Sequence, residues 1–430
     1  MPKDYTSSLL KFLDRSTCNF LAVDTAAKML TAAGFTQLNL SQKWTLEPGG
    51  KYFTTKNDSA IFAFTIGEED IANSGIKIIA AHSDSPGFRI KPNAEMLSEN
   101  GIVKLNTEVY GGPILYTWFD RPLSISGRVI LKGNDALHPV TRLMRIDSPI
   151  LVIPHLAIHF NRAVNEGNHL SKQKDMLPIL TRVNDIAQKG NLIPNLIANE
   201  LKVDVKDILD FDLTLYDCQP ATRVGLNDEF ISSGRIDDLS MAHAALTAII
   251  EGTDAHTTKI TAIFDNEETG SGTKQGAASP ILKGIIERIN EAQNGNRESF
   301  LRAIANSFMV SADNAHAFHP NYPEKYDPTN HPFLGGGPVI KINANCKYMT
   351  DAHSSAVFRA LCEEVGSPWQ YFVNHSDVAG GSTLGNILTA QIDIEGVDVG
   401  NPLLAMHSVR EMGSALDHDN MTAVMVHFFS

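Results

Sequence analysis

Residues 260–277 read ITAIFDNEETGSGTKQGA and carry the strongest structural signal in the chain. An apolar run ends in acidic residues, among them the adjacent Glu267 and Glu268, and a loop of small polar residues follows. Such apolar runs are typical of buried strands, and reactive groups in α/β folds collect where strands end. Adjacent like charges are unfavourable unless a cation or a shared proton relieves them. The stretch therefore predicts an α/β fold in which one glutamate binds a metal ion and the other serves acid–base chemistry.

Two more segments place a histidine or acidic residues at the boundary of an apolar element. In IKIIAAHSDSP, residues 76–86, a strand leads to His82, and Asp84 can hold the second ring nitrogen of this histidine. In SGRIDDLSMAHAAL, Asp237 and Asp238 open an apolar helix. Acids at this position also stabilise the helix dipole, so the motif has an ordinary structural explanation. A carboxylate that bridges two cations is the functional alternative.

The segments FMVSADN and NPLLAMHSVREM add Asp313 and His407. Together with the other motifs they supply two histidines and three carboxylates as candidate ligands. This set suits zinc, manganese or cobalt better than calcium. The sequence therefore predicts a metal site assembled from residues that are far apart in the chain.

The composition is that of an ordinary globular protein. The 430 residues exceed what one hydrophobic core usually organises, which favours two domains. Apolar residues make up 43% and charged residues 20%, and the formal net charge is −13. This negative charge argues against binding to nucleic acid and gives no reason to expect an anionic membrane surface as a partner.

The cysteines and the N-terminus bear on the location of the protein. The four cysteines are scattered without a CxxC pair, a pattern that favours a reducing compartment. The N-terminus, MPKDYTSSLLKFLDRS, is typical of an amphipathic helix rather than a signal peptide. No run approaches the roughly 20 apolar residues that span a bilayer. We therefore expect a cytoplasmic location.

Hydrophobic spacing predicts α/β alternation towards both ends of the chain and a different middle. Residues 7–35 are expected to form two helices that break near Ser16 and Thr17, either of which could cap the second helix. Residues 101–215 alternate in short segments punctuated by Gly and Pro, which is typical of strands and turns. Further strands are expected near 59–66, 76–81, 259–264 and 339–342, and further helices near 239–250, 352–365 and Leu384.

Taken together, the motifs resemble the aspartyl aminopeptidase family of dinuclear metallopeptidases. They occur in the order found in the family and span nearly the whole chain, and their combination is specific although no single motif would be. The resemblance is carried by AAHSDSPGFRIK (80–91), TWFDRPLSISGRVI (117–130), IPHLAIHFNR (153–162), SGRIDDL (233–239), FDNEETGSGTKQGA (264–277), SADNAHAFHPNYPEKYDP (311–328), GPVIKIN (337–343) and LLAMHSVREM (403–412).

The resemblance implies a ligand set for two divalent metal ions in each subunit. His82, Asp237 and Asp313 would bind one ion. Asp237 would bridge to the second ion, which Glu268 and His407 would also bind. The implied metal is zinc, with manganese or cobalt as alternatives.

The resemblance also assigns residues to catalysis and to substrate binding. Glu267 would be the general base that deprotonates the water between the ions, and Asp84 would support the first histidine ligand. His316 resembles a residue that contacts the substrate, and Lys341 resembles the cation that meets an acidic substrate side chain. His159 matches a residue donated across a subunit interface into the neighbouring active site. The implied activity is removal of N-terminal residues, acidic ones in particular, from peptides.

The family fold is a split α/β metallopeptidase domain with a mixed central sheet flanked by helices. In this chain it would comprise residues 1–94 and 225–430, with residues 95–224 as an inserted β-rich domain for dimerisation and oligomerisation. Family members form dodecamers built from dimers, so a homo-oligomer is expected. The GGSTLGN loop, residues 380–386, differs in composition from that of better-known eukaryotic relatives, which leaves the strictness of the acidic preference open.

Two alternatives remain beside this interpretation. Another two-metal amidohydrolase, such as a carboxypeptidase or a deacylase, would need a similar site. A non-catalytic assembly or cargo-binding protein of the same fold would be expected to lack the base or a ligand, whereas Glu267 and all five candidate ligands are present. Outside the site, His243 is predicted to be a packed core histidine, and the Gly335–Gly337 run is predicted to be a turn or a flexible loop.

Overall fold

The computed structural model describes residues 3–182 and 191–430, and the chain divides into two compact units. The larger unit comprises Met1–Asp84, Ala221–Met406 and Glu411–Ser430. The smaller unit comprises Ser85–Pro220 and His407–Arg410. The α/β alternation predicted towards both chain ends and the β-rich middle are confirmed.

Helices and strands are numbered along the chain. The helices are α1 (Thr6–Arg15), α2 (Asn19–Ala32), α3 (Ile71–Ser74), α4 (Leu192–Leu201), α5 (Ile236–Glu251), α6 (Ile281–Ala292), α7 (Arg297–Ala305), α8 (Ala352–Glu364), α9 (Leu384–Thr389) and α10 (Ala415–Phe428). The strands are β1 (Thr36–Gln37), β2 (Lys51–Lys56), β3 (Ala60–Thr65), β4 (Ile76–His82), β5 (Gly87–Leu97), β6 (Ile102–Tyr110), β7 (Leu123–Leu131), β8 (Val140–Arg145), β9 (Ile179–Arg182), β10 (Ile208–Asp217), β11 (Thr222–Val224), β12 (Phe230–Ser233), β13 (Thr258–Phe264), β14 (Phe308–Ala312), β15 (Ala315–His316), β16 (Val339–Ile342), β17 (Gln370–Val373), β18 (Glu395–Gly400), β19 (Pro402–Leu403) and β20 (Glu411–Ser414).

A nine-stranded mixed sheet forms the centre of the larger unit, with strand order β1-β2-β3-β13-β4-β14-β18-β16-β17. The four adjacent strands β13, β4, β14 and β18 run parallel to one another. Because they are parallel, their carboxyl ends lie along one edge of the sheet. The register aligns Phe264 of β13 with His82 of β4, so the residues that follow β13 emerge beside His82. This edge brings together segments that are far apart in the sequence.

Both faces of this sheet are covered by apolar side chains, as is usual for parallel strands. One core cluster contains Ile79 and Ala81 of β4 together with residues of α1, α2, α5 and α10. The opposite cluster contains Ile78 and Ala80 of the same strand together with residues of α6 and α7. Successive side chains of β4 thus pack into the cores on opposite faces of the sheet, which explains the unbroken apolar sequence of this strand.

The two N-terminal helices break where the sequence predicted, but the cap of the second helix differs. Ser16 is the C-cap residue of α1, and α2 begins at Asn19. Cys18 is the N-cap residue of α2, with extended backbone angles and no side-chain hydrogen bond to the helix. The prediction that Ser16 or Thr17 caps α2 is therefore wrong, because both lie before the position from which a side chain reaches the first N–H groups.

The smaller unit is built on a six-stranded antiparallel sheet with strand order β8-β7-β10-β5-β6-β9. Helix α4 contributes Ile193 and Ile197 to the apolar core of this unit. The main segment of the unit runs from Ser85 to Pro220, close to the predicted range 95–224, and its use in oligomerisation stays a prediction. Among the helices within residues 3–182 and 191–430, none is both long and apolar enough to cross a membrane.

Candidate metal centre

His82 is the last residue of β4 and is buried, with 1% of its surface exposed. Its Nδ1 atom lies 3.3 Å from Oδ1 of Asp84 and 3.1 Å from the carbonyl oxygen of the same residue. Both neighbours are acceptors, so we assign the ring proton to Nδ1. The lone pair of Nε2 then faces the opposite side of the ring, in the orientation that a metal-binding histidine needs.

Three carboxylates surround Nε2 of His82. Oδ1 of Asp237 lies 3.7 Å from it, and Oδ2 of Asp238 and Oδ1 of Asp313 each lie 4.0 Å from it. These separations are too long for hydrogen bonds. They are only slightly wider than the spacing of about 3.4 Å between two ligands of one tetrahedral zinc ion. One imidazole nitrogen and several carboxylate oxygens at such distances fit a small divalent cation.

Asp237 and Asp238 open α5 with non-helical backbone angles, so the regular helix begins after them. The main-chain N–H of Asp237 donates to Oε2 of Glu411 at 3.0 Å. The main-chain N–H of His82 donates to Oδ2 of Asp238 at 3.0 Å. Roles for Glu411 and Asp238 in the site were not predicted from the sequence, because both contacts depend on tertiary packing.

Glu267 and Glu268 lie in a short 3-10 turn that closely follows β13. Their main-chain N–H groups donate to Oδ1 and Oδ2 of Asp84 at 3.1 and 3.2 Å respectively. One carboxylate oxygen from each glutamate and one ring nitrogen of His82, all of which could bind a metal ion, lie within 4.8 Å of one another. Asp84 therefore fixes the backbone of both glutamates as well as the ring of His82.

Burial and mutual repulsion perturb the acidity of these side chains. Burial, followed by the charge of Asp313 and other carboxylates, raises the pKa of Glu267 to about 8. The pKa values of Asp238 and Glu268 are raised in the same way, first by burial. Burial alone would lower the pKa of His82, but neighbouring carboxylates, chiefly Asp238, raise it well above its usual value. A divalent cation bound among these carboxylates would offset their mutual repulsion.

Asp313 directly follows β14 and is 8% exposed. Its Oδ2 atom lies 3.7 Å from Nζ of Lys341, whose side chain is 4% exposed. Burial raises the pKa of Asp313, and the positive charge of Lys341 opposes that rise. The residue expected from the sequence to meet an acidic substrate is therefore in an ion pair with a candidate metal ligand.

The other three histidines that the resemblance assigns to the site are His316, His159 and His407. His316 is exposed on β15, and its ring centroid lies 5.8 Å from that of Phe372. His159 is exposed in the smaller unit. His407 belongs to the short segment that groups with the smaller unit, where its Nδ1 lies 3.0 Å from the carbonyl oxygen of Gly112. The assignment of these histidines to metal and substrate binding stays a prediction.

A mixed sheet that presents a buried histidine and clustered carboxylates at the ends of parallel strands defines a metal-dependent hydrolase. The imidazole nitrogen and the carboxylate oxygens could bind a metal ion, and one carboxylate of the adjacent glutamates would then remain for proton transfer. The profile of the aminopeptidase I zinc metalloprotease family, M18, matches residues 12–429, and the chain belongs to this family.

Individual relatives agree with this assignment along the full length of the chain. A probable M18 family aminopeptidase 2 of Clostridium novyi (strain NT) is 51% identical over 426 residues, which cover 99% of this chain and 98% of the relative. A chain in the cryo-EM structure of the Ape4 and Nbr1 complex is similar with a TM-score of 0.94 and 34% identity, covering 98% of this chain and 85% of that chain. A chain in the structure of the S. cerevisiae mApe1 dodecamer is similar with a TM-score of 0.86 and 25% identity, covering 99% of this chain and 96% of that chain. The family resemblance, the mixed α/β fold and the metallo-aminopeptidase class predicted from the motifs are confirmed.

Proposed function

We propose that the protein is a dinuclear metallo-aminopeptidase that removes N-terminal residues, Asp and Glu by preference, from peptides. The observation that carries the proposal is the buried group in which Nε2 of His82 faces three carboxylates at 3.7 to 4.0 Å, with Glu267 close by. Membership of the M18 family gives the reaction class, and the set of donor atoms gives the requirement for metal.

The proposed ligands are shared between two ions, zinc by preference and manganese or cobalt as alternatives. His82, Asp237 and Asp313 would hold one ion, and Asp237 and Glu268 would hold the other. The motif resemblance adds His407 as a further ligand. Asp237 suits the bridging position because a carboxylate offers one oxygen to each of two cations. When bound, two such ions polarise the peptide carbonyl and lower the pKa of water from about 15.7 towards 7.

Glu267 would take the proton from the attacking water and pass it to the leaving amine. The hydrogen bond from its main-chain N–H to Asp84 fixes its backbone, so the carboxylate acts from a defined position. Burial raises the pKa of Glu267 to about 8, and cations held by the neighbouring ligands would lower it towards neutral pH. A general base works best when its pKa lies near the working pH.

The contacts to the substrate are proposed from the family resemblance. His316 would contact the bound peptide, and Lys341 is the sequence candidate for an acidic side chain of the substrate. His159 would complete the active site of a neighbouring subunit. The peptide enters with a free N-terminal amine, which is what distinguishes an aminopeptidase from the carboxypeptidase and deacylase alternatives.

A homo-oligomer, a dodecamer built from dimers, is part of the proposal. It is supported by the similarity of this chain to the S. cerevisiae mApe1 dodecamer. Large apolar side chains are also exposed on the smaller unit, including Leu137 at 86%, Leu156 at 57% and Phe160 at 81%. A contact between subunits that removed these side chains from water would be favourable. A cytoplasmic location is proposed from the cysteine pattern.

Hydrolysis of Asp-, Glu- and Leu-arylamides, each with a free and an acetylated N-terminus, tests the proposal. Each substrate is assayed after chelation and again after addition of zinc, manganese or cobalt. We expect metal-dependent cleavage of the free-amine substrates alone, fastest for Asp and Glu. Faster cleavage of Leu would remove the acidic preference and keep the aminopeptidase. Cleavage of the acetylated substrates would indicate another type of amidohydrolase, and no cleavage with any metal would contradict the proposed activity.

A further inference from the structure

Asn266 turns the chain from the end of β13 into the two adjacent glutamates. β13 ends at Phe264, and Asn266 has left-handed backbone angles, with φ 62° and ψ 27°. Asparagine is one of the few residues other than glycine that adopt this conformation readily. Because Glu267 and Glu268 follow directly, the conformation of Asn266 sets the direction in which the chain enters their 3-10 turn.

The side-chain oxygen of Asn266 accepts hydrogen bonds from two residues of the loop beyond the glutamates. Oγ1 of Thr273 donates to it at 2.9 Å, and Nε2 of Gln275 donates to it at 2.7 Å. The main-chain oxygen of Asn266 accepts the main-chain N–H of Ser271 at 2.7 Å. Residues 267–275 thus curl around Asn266, whose side chain and main chain both hold the loop.

The far end of this loop is joined to the end of β13. The main-chain N–H of Asp265 donates to the carbonyl oxygen of Gln275 at 3.2 Å. Gly276 allows the loop to close, because a Cβ atom there would lie 2.3 Å from the carbonyl oxygen of Ser271. The two glutamates are therefore held from two directions. Their own main-chain N–H groups bond to Asp84, and the residue before them is bonded to the loop that follows them.

We propose that Asn266 is a positioning residue for both glutamates. Its side-chain oxygen fixes the left-handed turn, and the turn sets where the carboxylates of Glu267 and Glu268 lie. The inference rests on the proposed function, in which Glu267 is the general base and Glu268 is a metal ligand. A displacement of these groups by about 1 Å is enough to slow catalysis about 100-fold.

The Asn266→Gly variant tests whether the side chain fixes the turn. Glycine adopts the left-handed conformation freely, so this change removes the side-chain oxygen without straining the backbone. Hydrogen–deuterium exchange of the main-chain N–H groups of residues 265–276 is measured by mass spectrometry on metal-free protein. We expect exchange about 10-fold faster than in the wild type, because two hydrogen bonds that hold the loop are lost. Exchange at the wild-type rate would overturn the proposal.

Zinc binding and turnover of the same variant test whether the turn positions the glutamates. The zinc dissociation constant is measured by competition with a chromogenic chelator, and kcat and KM are measured for Asp-arylamide at saturating zinc. We expect zinc affinity to fall about 10-fold, the usual effect of losing support for a metal ligand. We expect kcat to fall about 10- to 100-fold while KM stays nearly unchanged. Faster exchange with wild-type zinc affinity and kcat would restrict Asn266 to loop stability and overturn the proposal.

Asn294→Gly is the matched control. Asn294 also has a positive φ, 59°, but it is exposed in the turn after α6. Its replacement should leave the exchange of residues 265–276, the zinc affinity and kcat at wild-type values. In a Glu268→Ala background, Asn266→Gly should have no further effect on zinc affinity, and a full additional loss there would contradict action through Glu268.

Circular dichroism checks that each variant is folded. If Asn266→Gly does not fold, Gln275→Leu carries the test, because it removes one of the two donors to the side chain of Asn266. Faster exchange with reduced zinc affinity in Gln275→Leu supports the proposal, and wild-type values of both overturn it. Exchange and zinc binding are measured without substrate, so failure of the aminopeptidase assay and failure of this inference are separate results.

Discussion

The carboxylate of Asp84 lies 3.3 Å from Nδ1 of His82, at the end of β4. The same carboxylate accepts the main-chain N–H groups of Glu267 and Glu268, which follow β13. One buried side chain thus sets the orientation of a candidate ligand and the backbone of the adjacent glutamates. A change at Asp84 should therefore disturb metal binding and proton transfer together.

The Asp84→Asn variant should lose roughly 10- to 100-fold in zinc affinity and in turnover. An amide retains one acceptor oxygen and replaces the other with an NH2 group, which cannot accept a hydrogen bond. Zinc affinity by chelator competition and kcat at saturating zinc are the measurements. Asp254→Asn is the control. Oδ2 of Asp254 pairs with Nζ of Lys77 at 2.8 Å, and Asp254 lies before β13, at the opposite end of this strand from the two glutamates. Equal zinc affinity in the two variants would contradict the role of Asp84.

The Glu267→Gln variant should keep its metal and its fold but lose most turnover. Glutamine is close in shape to glutamate and cannot accept a proton, so the expected fall in kcat is about 10²- to 10⁴-fold. Elemental analysis of dialysed protein should give the wild-type zinc content. Near-normal rates in a metal-replete variant would exclude Glu267 as the general base.

Glu268→Ala should have the opposite signature. Loss of a ligand lowers occupancy of one of the two proposed metal positions, so the zinc content per chain should fall from two towards one. Elemental analysis after dialysis against a weak chelator measures this, with Glu267→Gln as the matched control. Full occupancy in Glu268→Ala would exclude Glu268 as a ligand.

His243 and His418 should make the fold sensitive to acid. Both are buried, with Nδ1 of His243 3.1 Å from Nε2 of His418. Burial lowers the pKa of His243 to about 3, and burial also lowers the pKa of His418. Below a pH of about 6.5 the unfolded chain binds protons that the folded chain does not. Stability should therefore fall as the pH drops from about 6.5 towards 3, by up to about 1.4 kcal/mol per pH unit for each histidine.

The His243→Gln variant tests this dependence. Glutamine can still bond to Oγ of Ser8, which lies 2.9 Å from Nε2 of His243, but it does not titrate. Melting temperatures of metal-free protein between about pH 7 and 5 should decline less steeply in this variant than in the wild type. His256→Gln removes an exposed histidine and should leave the decline unchanged. If the melting temperature of His243→Gln declined with pH as steeply as that of the wild type, His243 would not be the source of the acid sensitivity.

The grouping of the candidate ligands could be predicted because it follows from strand order. His82, Asp313 and the two glutamates come just after apolar runs, and parallel strands deliver such residues to one edge of a sheet. β16 spans Val339–Ile342, as predicted, and His243 is a buried core histidine, as predicted. These features depend on short stretches of sequence, in which the apolar pattern is clear.

Features that depend on packing between distant segments were not predictable. The bond from Asp237 to Glu411 and the ion pair of Lys341 with Asp313 leave no pattern in the local sequence. Helix α10 was missed because its buried residues include Asp417, which interrupts the apolar spacing.

Asp417 also bonds to the Gly335–Gly337 run, which was predicted to be a turn or a flexible loop. The main-chain N–H groups of Gly335 and Gly337 each donate to the carboxylate of Asp417 at 2.7 Å. The turn is thus anchored to the start of α10, through a residue that lies far along the chain.

The place of β4 in the sheet affects how the enzyme is made. Its neighbours are β13 and β14, and both follow the main segment of the smaller unit in the sequence. During synthesis β4 and His82 leave the ribosome well before either neighbouring strand exists. At about 5–20 residues per second, that wait lasts on the order of ten seconds or more. An unpaired apolar strand is prone to aggregate, so nascent-chain chaperones should matter for its yield. The ion proposed to bind His82, Asp237 and Asp313 can be captured by this set of ligands only once translation has passed Asp313.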